Sequence, residues 1–170
     1  YVTPKSLDER CIVICCSLKA TAETVHAVER ARQFGAVTIA MTGSPETGMA
    51  KAGEYVVVYS NGDEQIYSQS NQSMALRLGF EILHQFEGYP LYHEAMAAFD
   101  QIDAIVAESK RSMLPAAQSF AVEYQNDPLF QVLGAGPLYG TAYSMANCHF
   151  MEMHWRNAIM IHSGEYFHGP

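Results

Sequence analysis

Apolar positions along the chain fall into two rhythms. Continuous β-prone runs occur at Arg10 to Cys16, Ala36 to Met41, Tyr55 to Tyr59, Leu129 to Leu133 and Ala158 to Ile161. Such runs read as strands of parallel sheets, the first of them buried on both faces. Between them, Val25 to Phe34 places apolar residues at helical spacing, and Gly35 supplies the stop. Met74, Leu78, Ile82 and Phe86 predict a helix from Asn71 to Phe86, and a short one is expected among Thr42 to Gly53. Ser60 to Ser70 is polar and loop-like. Tyr92 to Glu123 is helical on pattern with an interruption near Pro115, and a last helix should end near Trp155. Strand–helix alternation in both halves predicts an α/β fold with parallel sheets flanked by helices.

The breaker Gly88-Tyr89-Pro90 divides the pattern into residues 1–88 and 89–170. The second part holds two strands, too few for an independent sheet. Tyr1 enters with almost nothing ahead of a central strand, and His168-Gly169-Pro170 stops inside a turn, so the chain reads as part of a longer protein.

Composition narrows the class. Of 170 residues, 49% are hydrophobic and 16% charged, which excludes disorder and predicts a packed body. A net charge of −8 argues against nucleic acid as a partner, because Lys/Arg stripes supply most of that affinity. It leaves room for a phosphorylated small molecule, since backbone N–H groups at a helix start hold one phosphate whatever the net charge. No apolar stretch approaches a membrane span and no signal segment opens the chain. Cys11, Cys15, Cys16 and Cys148 lack the spacing of a disulfide scaffold or zinc site, so reduced thiols in a cytoplasmic protein are expected.

Three places carry candidate chemistry. Ser17 to Thr24 lies between a strand and a helix, where open α/β sheets bind ligands. Ser17, Thr21, Thr24 and Lys19 there suit a phosphate monoester at the positive end of a helix dipole. The plainer reading is an N-cap, with Thr21 starting the helix. Gly134, Gly136 and Gly140 follow a strand but miss the G-x-G-x-x-G spacing, so close helix–strand packing is expected in place of a nicotinamide site. Glu152 sits in a helix apolar around most of its circumference and therefore expected to be mostly buried, where a carboxylate is tuned toward proton transfer. An i,i+4 pair with Arg156 is the alternative. The spacings of His149, His154, His162 and His168 match no helical zinc site, and no metal or cofactor is indicated.

Read together, these features resemble a known family. Glu152, followed sixteen residues later by His168 in Gly164-Glu165-Tyr166-Phe167-His168-Gly169-Pro170, resembles the SIS (sugar isomerase) phosphosugar isomerases, including the isomerase domain of glucosamine-6-phosphate synthase. Leu133-Gly134-Ala135-Gly136 with Tyr139 is similar to the opening of that enzyme's second sugar-isomerase domain, and Ser17 to Thr24 to the phosphate loop of the first. Phe150-Met151-Glu152-Met153 with Trp155, and Ile161-His162-Ser163-Gly164-Glu165, resemble more closely the fructosamine-6-phosphate and fructoselysine-6-phosphate deglycases. Leu18 and Ala20 depart from the family loop, which is more polar and has glycine there.

The resemblance implies parts of two flavodoxin-like SIS domains, the back of the first and the front of the second. It implies Glu152 and His168 as catalytic residues and Ser17, Lys19 and Thr21 as phosphate-binding residues. The implied activity is cleavage of a 6-phosphofructosyl amino acid to glucose 6-phosphate and the free amino acid. The implied assembly is a homodimer or larger oligomer, with His168 entering the partner chain's site. Two alternatives stand beside it: the aldose–ketose isomerase of a glucosamine-6-phosphate synthase, and a sugar-phosphate sensor without turnover. His149 stands where the synthase branch keeps Lys, and a sensor needs neither Glu152 nor His168.

Overall fold

A computed structural model describes residues 2–60 and 66–168. The first strand–helix repeat comprises β1 (Ile12–Cys16), α1 (Ala22–Gln33), β2 (Val37–Thr42), α2 (Gly48–Ala52) and β3 (Tyr55–Val58). These strands form a parallel sheet in the order β1-β2-β3, with Ile14 beside Ile39 and Ala40 beside Val56. Parallel strands need crossovers, and α1 and α2 provide them. Val28 of α1 and Met49 of α2 are fully buried on Cys15 and Ala40 of the sheet. Burying Val28 alone stabilises the unit by about 1.5–3 kcal/mol.

The expectation that the first strand is buried on both faces is corrected. Cys15 is buried, but Ile12 and Ile14 are 41% and 44% exposed. Successive strand side chains point to opposite faces, and the α1–α2 layer covers one of them.

Next come α3 (Asn71–Glu87), α4 (Tyr92–Phe99) and α5 (Ile102–Tyr124). Ser70 caps α3 by accepting from the Ser73 N–H, and Gly88, at φ +70°, ends it. The expected interruption at Pro115 does not occur, because Pro115 lies inside a continuous α5. The break falls earlier, at Asp100 and Gln101. Proline forfeits one helical N–H bond, and the helix continues on the bonds either side.

The second sheet pairs β4 (Phe130–Gly134) with β5 (Ala158–His162), also parallel. Its crossover begins as α6 (Tyr139–Ser144) and widens into a π-helical segment, Met145–Met153. Gly134 is the close-packing glycine: a Cβ there would lie 2.4 Å from Cβ of Ala142. The chain divides into two compact units, Tyr1–Arg111 and Ser112–Pro170. The Gly88-Tyr89-Pro90 breaker therefore lies within the first unit. Phe80 explains this, since its ring packs on both Tyr89 and Phe99 and so holds α4 to α3. Among the described residues no helix is long and apolar enough to cross a membrane.

Candidate active site

In the first unit the candidate phosphate loop leaves the carboxyl end of β1 and enters α1. Neighbouring backbone pins it: the Ser17 N–H donates to the Met41 carbonyl (3.0 Å) and the Gly43 N–H to the Leu18 carbonyl (3.1 Å). The Thr42 hydroxyl also donates to Leu18 O, at 3.4 Å. Within the loop, Ser17 Oγ accepts from the Thr21 N–H at 3.2 Å, and the Thr21 and Thr24 hydroxyls meet at 3.1 Å. Thr21 occupies the N-cap position of α1, yet its side chain accepts no capping bond from the helix. Its hydroxyl belongs to a Ser17–Thr21–Thr24 cluster instead. Lys19 is exposed beside this cluster. Ala20 takes φ +53°, a left-handed backbone uncommon outside glycine. At the adjoining strand ends, burial and a hydrogen bond with Cys16 push the Tyr59 hydroxyl up to about 12. Tyr59 therefore stays neutral beside the loop at physiological pH.

The second unit carries Glu152 and His168. The expected burial of Glu152 is corrected: the crossover helix buries Ala142 and Ala146, while Glu152 is exposed and Tyr143 and Met153 are 54% and 65% exposed. An apolar circumference did not translate into a covered one, because the unit supplies only one two-stranded sheet to pack against. Among the described residues no ion pair joins Glu152 to Arg156, and the first-mentioned alternative role for Glu152 finds no geometry here.

His168 stands on a short 3₁₀ turn, Tyr166–His168, and is exposed. Its approach is held by backbone bonds. The Ser163 N–H donates to Gly134 O (3.3 Å), Glu165 N–H to His162 O (2.8 Å) and His168 N–H to Glu165 O (2.9 Å). The Gly164 N–H donates to Nδ1 of His162 at 3.1 Å. Gly169 and Pro170, which close this turn in the sequence, lie outside the described residues.

Topology decides what these two residues can do together. The crossover helix starts past the carboxyl end of β4 and returns to the beginning of β5. Glu152 lies two residues beyond Phe150, whose ring stacks on Phe130, and Phe130 pairs with Ala158 at the start of β5. His168 lies past the end of β5. Five residues of strand separate those levels by roughly 17 Å. Within one chain the fold brings Ser17, Thr21 and Thr24 together and leaves Glu152 and His168 at opposite ends of a strand.

No family model matches the chain. It is 36% identical over 168 residues to fructosamine deglycase FrlB of Bacillus subtilis (strain 168), covering 98% of this chain and 51% of that protein. It is 26% identical over 170 residues to the fructoselysine 6-phosphate deglycase of Escherichia coli (strain K12), covering 99% of this chain and 49% of that one. A crystal structure from Bacillus subtilis, provisionally described as a phosphosugar isomerase, superposes with a TM-score of 0.93 at 36% identity, over 98% of this chain and 51% of the other. Along nearly its whole length the chain is similar to the fructosamine and fructoselysine 6-phosphate deglycases. It spans about half the length of the curated relatives it matches. The C-terminal domain of glucosamine-fructose-6-phosphate aminotransferase from Francisella tularensis shares the fold, with a TM-score of 0.78 at 15% identity, over 94% of this chain and 47% of that one.

The structure adds two features that the sequence reading did not state. Ala20 keeps a glycine-like backbone angle without being glycine. The Glu152 helix is α-helical only to Ser144. The first was signalled by the departure at Ala20 from the family loop. The second had no signal, since an apolar run of Met, Ala and aromatic residues reads as α at any pitch.

Proposed function

We propose that the full-length protein is a deglycase that converts a 6-phosphofructosyl amino acid, such as fructoselysine 6-phosphate, to glucose 6-phosphate and the free amino acid. The observation that carries this reading is the 36% identity to a fructosamine deglycase, sustained across 98% of the chain and therefore across both candidate segments. In this reading Ser17, Thr21 and Lys19 hold the phosphate, with the first amides of α1 pointing the same way. His168 assists ring opening by proton transfer at the ring oxygen. Glu152 takes the proton from C1 of the open-chain ketone, giving an enolamine. Reprotonation at C2 leaves a C1–N double bond, which water cleaves to release the amine and the aldehyde of glucose 6-phosphate. Each transfer by a placed group is worth about 10²–10⁴ in rate, and anchoring the phosphate contributes through position.

We further propose that the working unit is at least a dimer, in which His168 serves the partner's Glu152. The strand's length between the two residues in one chain supports this arrangement.

The deciding assay incubates full-length protein with fructoselysine 6-phosphate and measures glucose 6-phosphate. Release of glucose 6-phosphate is expected. Interconversion of fructose 6-phosphate and glucose 6-phosphate without deglycation would favour the synthase-type isomerase, and binding without turnover would favour a sensor. For the shared site, Glu152→Gln and His168→Ala homodimers are mixed under conditions of proven subunit exchange. Recovery of activity toward one site per dimer is expected; activity no higher than that of the separate mutants would assign both residues to one chain.

A further inference from the structure

Among the described residues only Ala20 and Trp155 hold a positive φ without being glycine. Ala20 lies in the candidate phosphate loop. Trp155, at φ +55°, lies three residues beyond Glu152. Bulky side chains rarely adopt this backbone, and residues that do cluster where the surrounding structure has a use for the geometry. The Trp155 side chain is 90% exposed, so its indole is not what holds it there within this chain.

The use is visible in the helix it ends. From Met145 to Met153 the backbone bonding lengthens to i→i+5, a rare pattern frequently found at functional sites. The last such bond runs from the His154 N–H to His149 O at 3.1 Å. A wider turn advances each residue by less than the roughly 100° of an α-helix. Over the seven steps from Met145 to Glu152 that difference accumulates, and Glu152 leaves the helix in a direction that α geometry would not give.

Three contacts hold the widened segment. At its start, the Asn147 side-chain amide donates to the Tyr143 carbonyl (3.0 Å). In its middle, the Phe150 ring stacks on Phe130 of β4, with centroids 4.6 Å apart and planes within 4°. At its end, Trp155 reverses the chain so that the Arg156 N–H reaches back to Phe150 O at 2.9 Å. The left-handed backbone of Trp155 makes the reversal that this last bond spans.

We infer that Trp155 is a positioning residue for Glu152, its left-handed backbone closing the π-helical segment and thereby setting the direction of the carboxylate. The inference rests on the reading of Glu152 as the proton carrier.

The test compares Trp155→Gly, Trp155→Asn, Trp155→Ala and Trp155→Val in the full-length protein. All four lose the indole; they differ in tolerance of a positive φ, which is high for Gly and Asn and lowest for β-branched Val. With fructoselysine 6-phosphate, the order of kcat should be Gly ≈ Asn > Ala > Val. Val should fall at least ~10-fold below Asn with KM unchanged, since a misplaced group costs the chemical step more than binding. Should Val not fold, the Asn–Ala difference carries the comparison. Crystal structures of the Asn and Ala variants add a readout independent of turnover: Asn should keep the Arg156–Phe150 bond that ends the π segment, and Ala should weaken or lose it. Equal kcat in all folded variants, with the π segment intact in each, overturns the inference. Glu152→Gln is assayed alongside. Near-normal turnover there overturns the proton-carrier reading itself, whereas an inactive Glu152→Gln with equal Trp155 variants overturns only the positioning role.

Discussion

Each unit contains the same succession of parts: a parallel strand, a turn containing one residue at φ +53°, and a helix. The two turns are made of opposite materials. After β1 the left-handed residue is Ala20, and the flanking positions are Ser17, Thr21 and Thr24, whose hydroxyls and amides are bonded to one another. After β4 the left-handed residue is Gly136, and the turn Gly134-Ala135-Gly136-Pro137-Leu138 has no hydroxyl at all. The helices differ in the same sense. The helix after the first turn is regular α and seats Val28 and Ala31 in the core. The helix after the second approaches its strand through Gly134 and then widens before delivering Glu152. The same strand–turn–helix frame thus serves to gather donors at a helix start in one unit. In the other it allows close approach at the start and a particular exit direction at the far end.

Four experiments probe that division of labour. The largest effect is expected from Glu152→Gln, which should lower turnover by at least ~10²-fold while leaving substrate binding largely intact. Turnover close to that of the parent, measured at saturating substrate, would remove Glu152 from the chemistry and the second unit from its assigned role. Next comes Gly134→Ala. Its Cβ would meet Ala142 Cβ at 2.4 Å and Leu138 O at 3.0 Å, so thermal denaturation should show a loss of about 1–3 kcal/mol. Gly140→Ala is the control within α6, where a Cβ meets nothing within 4 Å; it should be neutral or stabilising by up to about 1 kcal/mol. Equal destabilisation by both would deny the close-approach role of Gly134.

Replacing Ser17 and Thr21 together by Ala should raise KM for the phosphorylated substrate about 10-fold, because ground-state and transition-state binding are lost alike. An unchanged KM in steady-state kinetics would reduce the first turn to a helix entry. The smallest effect is expected from Ala20→Gly. Glycine adopts φ +53° without the Cβ clash but gains freedom in the unfolded chain. The balance should raise stability by roughly 0.5–1 kcal/mol, seen as a melting temperature a few degrees higher. A lower melting temperature would mean that the loop draws on its Ala20 methyl for packing.

How far the site was legible depended on the type of information each part needs. Strand positions were readable within one or two residues, as with Ala158 to Ile161 against the observed Ala158–His162, because β-prone apolar runs bounded by turn residues are local signals. The end of α1 near Gly35 and of α3 near Gly88 was readable for a similar reason, since both glycines take the left-handed angle that stops a helix. The break between α4 and α5 was misplaced at Pro115, because a proline's local cost is small enough for a long helix to absorb. The hydroxyl cluster of Ser17, Thr21 and Thr24 was visible as composition, while its internal bonding was not.

By itself the sequence determined the order of strands and helices, the two turns that follow β1 and β4, and the residues available for chemistry at each. Those are properties of short windows, where periodicity, β-branching and glycine act through neighbouring residues. Tertiary structure alone decided that Ile12 and Ile14 stay exposed, that Gly134 is filled by Ala142, that the Glu152 helix changes pitch at Met145, and that Glu152 and His168 lie at opposite ends of β5. Each of these depends on which surfaces meet across the chain. A helical apolar pattern records that a residue can be buried; only the packing partners, Phe130 against Phe150 among them, settle whether it is and which way its neighbours then face.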